Sequence, residues 1–469
     1  MEFLNRREEM KRLDALARLP EAAAVVIWGR RRLGKTRLLL EWSQKHKGIY
    51  YTADESAPAV QRKYFALALD QVFSGFSSVD YPDWTAFFRR LAKEAQQIHW
   101  RGPLVIDELP YLISMSPELP SILQKFIDSE AKQAKLIIAL CGSSQRMMQG
   151  AVLNPSAPLY GRASEVLKLS PISVGYIGEA LNLTQPREII ESYAIWGGTP
   201  RYWELVRNGS QGFFESIERI VLDPMGPLND EPNRLLLEEL PPAPNLRPIL
   251  DAIGLGAHRL SEISSRISQP VTSLTRLIHR LIELDLIERE VPYGMAENNT
   301  KRSLYKFKDP FLHFWFEIVG PRRSYFAQIS SATRIRWLKK NVSHLFSITW
   351  EDLCRAAIPK LAQLWGEDLV GPAGRYWYGQ GHEWDILANG LEGKRAFIGE
   401  AKWTERAPTT KWVMQTINEL KAKGVPPIAQ FHGKTIEHLL FLPEKPKGFQ
   451  CSGVRLIDAE EVITAFRNH

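Results

Sequence analysis

The chain has 469 residues, is 44% hydrophobic and 24% charged, and carries a net charge of +7 with a pI near 9.1. That length suits about three domains of ~150 residues, each able to bury a core without disulfides. Three scattered cysteines (Cys141, Cys354, Cys451) with no C-x-x-C pair argue against a zinc knuckle or disulfide framework and suit a reducing cytoplasm.

Met1–Glu9 is mixed-charge, without the apolar region of a signal peptide, and no apolar run approaches the ~18 residues of a membrane span. A cytoplasmic protein with no membrane partner is expected. The positive charge leans toward nucleic acid, although an ordinary basic protein has the same balance.

Through about residue 170, apolar strand-like runs alternate with helical patterns. The runs are Ala22–Trp28, Gly48–Thr52, Pro103–Asp107 and Leu136–Cys141; the helices are Thr36–Lys47 and Leu119–Ala131. Continuous apolar strands of this kind predict a parallel sheet covered on both faces, an α/β fold.

Directly after the first strand, Gly29-Arg30-Arg31-Arg32-Leu33-Gly34-Lys35-Thr36 matches G-x-x-x-x-G-K-[ST] at every fixed position and leads into a helix beginning with Arg37. The glycines let backbone N–H groups wrap phosphates, Lys35 reaches the β and γ phosphates, and the Thr36 hydroxyl ligates Mg²⁺. ATP and Mg²⁺ are therefore the expected cofactors.

The strand Leu104–Ile106 ends in Asp107-Glu108. Asp107 is expected on the metal side and Glu108 on the attacking water; a plain helix cap is the alternative. Ser143 or Ser144, at the end of the next strand, could sense the γ-phosphate or form an ordinary turn. Arg162 reads as an arginine finger, in cis or from a neighbouring subunit of a homo-oligomer, or as a surface arginine.

Phe3–Glu9, the phosphate loop, Asp107-Glu108, Gly142-Ser143-Ser144, Tyr160-Gly161-Arg162 and Gly197-Gly198-Thr199-Pro200 together resemble the archaeal and bacterial P-loop ATPases of the AAA+/STAND-like group, which often carry a C-terminal DUF234 domain. The resemblance covers roughly residues 1–240. It implies that Phe3–Glu9 packs near adenine and that Gly197–Pro200, in a helical lid at 171–240, lies close to the nucleotide.

Residues 241–320 read as a winged helix-turn-helix. Leu260, Ile263, Ile267, Leu274, Leu277, Ile278 and Leu281 fall at helical spacings, and short strands follow. Its second helix would offer Thr272, Ser273, Thr275, Arg276, His279 and Arg280 to a DNA groove. With ten Lys/Arg against eight Asp/Glu in 245–310, packing or oligomerisation fits as well.

The stretch from Glu317 to Glu351 has no acid between its ends and six basic residues: Arg322, Arg323, Arg334, Arg336, Lys339 and Lys340. Tyr325, Phe326 and Trp337 are interleaved. Phosphate contacts or a solvated linker helix both fit.

In the last segment, Asn389-Gly390 between strand-like runs signals a hairpin. Glu400 and Lys402, two apart on its second strand, share a face, with Asp385 on the first. Two carboxylates and a lysine suit metal-dependent phosphodiester hydrolysis. This pattern resembles the PD-(D/E)XK nuclease core found in DUF234 domains. The resemblance adds Glu351 as the helix-borne acid, so that Glu351, Asp385 and Glu400 would hold the metal; Gln415 would be auxiliary. The expected order is ATPase core (1–170), lid (171–240), winged helix (241–320), and basic linker with nuclease-like domain (321–469). ATP would gate an action on DNA; a nucleotide-dependent regulator or an oligomeric scaffold with a dead nuclease fold is the alternative.

Overall fold

The computed structural model describes residues 3–143, 145–209, 212–239, 246–296, 302–366, 369–378, 381–449 and 451–468. Ser144 lies outside them. The chain divides into two compact units, 1–171 with 237–241, and 172–236 with 242–469.

In the first unit five strands form a parallel sheet in the order β2-β3-β4-β1-β5. They are β1 (Ala23–Trp28), β2 (Ile49–Thr52), β3 (Pro103–Asp107), β4 (Ile137–Gly142) and β5 (Glu165–Lys168). Strands β3 and β4 are buried along their whole length, as a sheet covered on both faces requires. Alternation then sorts the side chains. Val26, Ile106 and Leu140 join an aromatic-rich cluster with Phe65, Phe87 and Phe88, while Val25, Ile27 and Val105 pack with Leu38 and Trp42. The parallel register pairs Trp28 with Gly142, so the phosphate loop, Asp107 and Ser143 emerge at one edge of the sheet.

The second unit opens with helices that include Ile177–Leu181, Pro186–Trp196 and Pro200–Arg207. Next come Arg247–Gly254, Leu260–Ile267 and Val271–Glu283, then an antiparallel pair, β6 (Ile287–Glu290) and β7 (Leu304–Phe307). On Val271–Glu283, Leu274, Ile278 and Leu281 are buried, while Thr272, Ser273, Thr275, Arg276 and His279 are exposed.

A mixed five-stranded sheet completes the unit, in the order β12-β11-β10-β9-β8. Its strands are β8 (Gly374–Tyr376), β9 (Trp384–Asn389), β10 (Arg395–Ala401), β11 (Thr435–Phe441) and β12 (Val454–Ile457). The first three pair antiparallel and the last three parallel. The β9–β10 hairpin forms where Asn389-Gly390 signals it. The left-handed residue of its loop is Gly393, with φ +79°, and Gly390 N–H donates to the Arg395 carbonyl.

The final helix, Ala459–Arg467, is capped by Asp458 and Glu461 and packs on the 3₁₀ turn Val174–Tyr176. Arg467 Nε donates to Gly175 O at 3.1 Å, and the Ser173 and Tyr176 hydroxyls donate to the carbonyls of Phe466 and Arg467. A Cβ at Gly175 would meet Arg467 N at 2.7 Å, so this backbone approach requires glycine.

The basic stretch 322–340 is largely structural. Arg334 is buried, with Nη2 2.7 Å from Glu218, and donates to the carbonyls of Phe326 and Ile329. Arg322 stacks on Trp337 and donates to Glu317 O; Arg323 pairs with Asp230 at 2.8 Å. Arg336, Lys339 and Lys340 remain exposed on Ser331–Asn341.

Nearby, Glu317 accepts hydrogen bonds from His313 and His344. Burial works against its charge, but the two imidazoles outweigh burial and hold the carboxyl at about 2. The same bond to Glu317 raises the His344 pKa above its ordinary 6.5. A raised histidine stabilises the fold fully below its unfolded pKa and loses that contribution as pH rises through its folded pKa. Thermal melts from pH 6 to 8.5 should therefore show a loss of stability that Glu317→Gln flattens. Parallel pH profiles for the two proteins would reject the coupling.

Candidate functional site

The phosphate loop springs from β1. Gly29 has φ +144°, and a Cβ there would lie 2.7 Å from Leu169 O. Gly34, at φ +87°, caps the helix Lys35–Lys45. The close contact excludes a side chain at Gly29, while Gly34 has open space around it and is favoured by its left-handed backbone. Lys35 is 5% exposed, and its Nζ donates to Gly29 O (2.7 Å) and Arg30 O (3.0 Å), so the ammonium lies inside the loop that would wrap the phosphates. Of the three loop arginines, Arg30 is buried, Arg31 donates to the Tyr111 hydroxyl at 2.9 Å, and Arg32 adopts a left-handed φ of 69°. Leu33 is buried, and Arg37 pairs with Glu41 at 2.6 Å.

Thr36 Oγ1 donates to Asp107 Oδ2 at 2.8 Å, bringing together the two groups expected on the metal side. The Tyr50 hydroxyl donates to the same oxygen; burial and then Asp107 push the phenol well above its ordinary value. Glu108 takes a left-handed φ of 53°, and its carboxylate accepts from Ser143 Oγ at 3.0 and 2.9 Å and from Ser143 N–H at 3.4 Å. A non-glycine residue held this way at a strand end carries backbone strain of ~1–3 kcal/mol, and the serine contacts fix where the carboxylate points. Arg162 lies elsewhere: it donates to Tyr160 O and pairs with Asp128 at 3.4 Å. That partly exposed pair costs little to open.

Two residues at this site are not singled out by the sequence. Tyr50 is one. Arg6, within the Phe3–Glu9 segment, is the other. It is 4% exposed and donates to Leu33 O (2.9 Å), Ser170 O (2.8 Å) and Glu9 (2.9 Å), tying the phosphate loop to the residues after β5. Arg6→Ala strands these acceptors. It should destabilise the N-terminal unit by about 2–4 kcal/mol in chemical denaturation and weaken nucleotide binding. An unchanged unfolding midpoint would remove Arg6 from this role.

The second cluster lies in the mixed sheet. Asp385 on β9, Glu400 on β10 and Lys402 just beyond it converge: Lys402 Nζ is 2.5 Å from Glu400 and 3.6 Å from Asp385. The Ala401 N–H also donates to Asp385 at 3.2 Å. Glu400 is nearly buried and holds a second ammonium, Lys423, from the end of Thr410–Ala422; Lys423 also donates to Glu383 O. Nothing in a motif spacing marks Lys423.

Glu351, on the helix Ser343–Ala357, lies close enough to Asp385 for their charges to interact. Arg355, one turn on, lies 3.8 Å from Glu351 and donates to Asp385 O at 3.0 Å. Burial and then Asp385 raise the Glu351 carboxyl to about 7; the same two causes raise Glu400. Burial disfavours the Lys402 ammonium, but Asp385 and Glu400 outweigh it and raise its pKa.

Acids that disfavour one another's charge suit a cation. Even so, no group of three His, Cys, Asp or Glu side chains among the described residues is arranged to hold a metal, and Glu400 is engaged by two lysines. Gln415 is turned away, donating to Glu419 at 2.9 Å. Trp403, beside Lys402, packs on Trp350, beside Glu351, and Arg187 of Pro186–Trp196 sits 5.0 Å from the Trp403 ring.

Residues 3–206 match a family described as an ATPase domain predominantly from Archaea. Over that stretch the chain is similar to archaeal P-loop ATPases. Residues 315–416 match DUF234, a group of archaeal and bacterial proteins of unknown function. An uncharacterized protein of Methanocaldococcus jannaschii is 29% identical over 408 residues, 86% of this chain and 88% of that one.

Among solved structures, a Walker-type ATPase of Pyrococcus abyssi is similar at TM-score 0.50 and 22% identity, covering 68% of this chain and 97% of the other. The ORC2 protein of Aeropyrum pernix is similar at TM-score 0.42 and 12% identity, over 72% and 96%. The first likeness is one of fold. The ATPase match extends past the first compact unit: residues 172–206 belong to it, yet pack within the second. Among the described residues no helix is long and apolar enough to cross a membrane.

Proposed function

We propose that this protein is an ATPase whose nucleotide state controls a metal-dependent, nuclease-like site acting on nucleic acid, with DNA as the favoured strand. The observation that carries the reading is the placement of residues 172–206. They belong to the ATPase match but pack in the same compact unit as Asp385, Glu400 and Lys402. In this reading residues 171–240 form a lid, residues 241–320 a winged helix, and residues 321–469 a basic linker with a PD-(D/E)XK-like domain. Arg187 on Trp403 then gives the lid a direct hold beside Lys402.

At the P-loop, the strained glycines, the inward Lys35 and the Thr36–Asp107 pair fit ATP with Mg²⁺. The bound cation would screen phosphate charge. Lys35 would leave its two carbonyl partners for the phosphates, and Asp107 would keep Thr36 oriented. Glu108 would accept the proton of the attacking water once Ser143 yields. Arg162 would complete the site as a finger from a neighbouring copy after releasing Asp128. At the second site Asp385, Glu400 and Glu351 would share a divalent cation only after Lys402 and Lys423 release Glu400 and the three carboxylates draw together, with Lys402 then beside the attacking water. Buried thiols at Cys141 and Cys354 support a cytoplasmic setting.

The test is to incubate the full chain with Mg²⁺ or Mn²⁺ and single-stranded or duplex DNA, with ATP, with a non-hydrolysable analogue, and without nucleotide. Metal-dependent cleavage that changes with nucleotide supports the proposal. A second reading, a nucleotide-dependent nucleic-acid-binding regulator or oligomeric scaffold with an inactive nuclease fold, is favoured by the two lysines on Glu400. ATP-dependent DNA affinity or mass without cleavage would select it.

A further inference from the structure

Beside the Glu351 helix lie two adjoining cavities of about 430 and 520 Å³, the size range of small-ligand pockets. Both are lined by Lys306, Asp352, Arg355 and Arg375, and the first also by Glu351. Most of this charge is already matched. Lys306 of β7 holds Asp352 (2.7 Å), Glu288 (3.2 Å) and Glu290 (3.7 Å), and Arg355 holds Asp352 at 2.5 Å.

Arg375 differs. It is the middle residue of β8, where the pairing register with β9 shifts between Gly374 and Tyr376. Such an irregularity re-aims a side chain. Its backbone is anchored, because Tyr293 N–H donates to Arg375 O at 2.8 Å. Its guanidinium packs 5.0 Å from the Trp377 ring, and its Nε is buried with no hydrogen-bond partner. A buried guanidinium donor left unsatisfied is costly, and planar arginine forks suit phosphate oxygens.

We propose that Arg375, on the strand paired with the one that carries Asp385, binds a phosphate of the nucleic-acid strand, and that the cavity it shares with Glu351 is where the backbone enters. This rests on the nuclease-like reading above for its ligand class. Arg375 thereby supplies affinity rather than proton transfer. The wing strand β7 lines the same cavity through Lys306 and so borders the path of the strand.

The experiment measures binding of fluorescent single-stranded and duplex oligonucleotides to the full chain in EDTA, where no cleavage competes, across a salt series. Arg375→Ala is expected to weaken binding about tenfold or more and to lower the slope of log affinity against log salt by about one, the signature of one lost phosphate contact. Arg375→Lys, which keeps the charge but not the fork, should lose several-fold while keeping the slope. The thermal melt of the full chain should be unchanged in both, as a check on folding. If the alanine variant does not fold, the lysine variant carries the test. Wild-type affinity and slope in the variants overturn the proposal while leaving the nuclease-like reading intact. Absence of nucleic-acid binding by the wild type overturns both.

Discussion

Lys35→Ala is expected to cut ATP turnover by about 10²–10³-fold, the range for removing a preorganised cationic or hydrogen-bond donor from developing phosphate charge. Its ammonium already lies within the loop, held by Gly29 O and Arg30 O. It therefore has a short way to travel, and little reorganisation is needed when phosphates replace the carbonyls. The same contacts predict a second effect. With the ammonium gone, two loop carbonyls lose a charged donor, so the variant should also melt earlier without nucleotide. Phosphate-release kinetics together with a thermal melt test both. Turnover within a few-fold of wild type would mean that Lys35 is not the phosphate-binding lysine.

Asp385→Asn is expected to reduce metal-dependent cleavage by about 10²–10⁴-fold while leaving ATP turnover without DNA unchanged. Asp385 is the hub of its cluster. It lies 3.6 Å from Lys402, and its charge helps to raise both Glu351 and Glu400. Removing that charge should let Glu351 ionise at lower pH. The Glu351 carboxyl should therefore titrate below the value of about 7 that it has beside Asp385. Cleavage that survives in Asp385→Asn at the wild-type rate would move the chemistry elsewhere or to a contaminant.

The P-loop is legible because its requirements are contiguous: two glycines for backbone geometry, a lysine and a hydroxyl at fixed spacing, a strand before and a helix after. The Asp385, Glu400 and Lys402 cluster is legible for a similar reason, since a hairpin and an alternating strand place the three residues by local rules. What escapes depends on distant pairing. β5 has four residues, Glu165–Lys168, with charges at both ends, so periodicity does not mark it. Tyr50 and Lys423 reach their carboxylates only through the folded chain. The basic stretch is the clearest case. Its charge count suggests a phosphate-binding surface, but Arg334 turns inward to Glu218, 116 positions earlier. Composition records a charge without recording which way it points.

The clamp between Gly175 and Arg467 has a consequence for how the chain comes to be folded. Its partners are separated by 292 positions, so residues 173–176 leave the ribosome long before the helix that completes their packing. The five parallel strands can assemble as soon as residue 171 is free. The segment just after them must wait for nearly the whole of the remaining chain. Synthesis at ~5–20 residues per second makes that delay about 15–60 s, during which Val174 and its neighbours are uncovered. A nascent chain stalled before the last helix should therefore present a protease-resistant core ending near residue 171, followed by a readily cut segment, and should call on chaperones at that boundary.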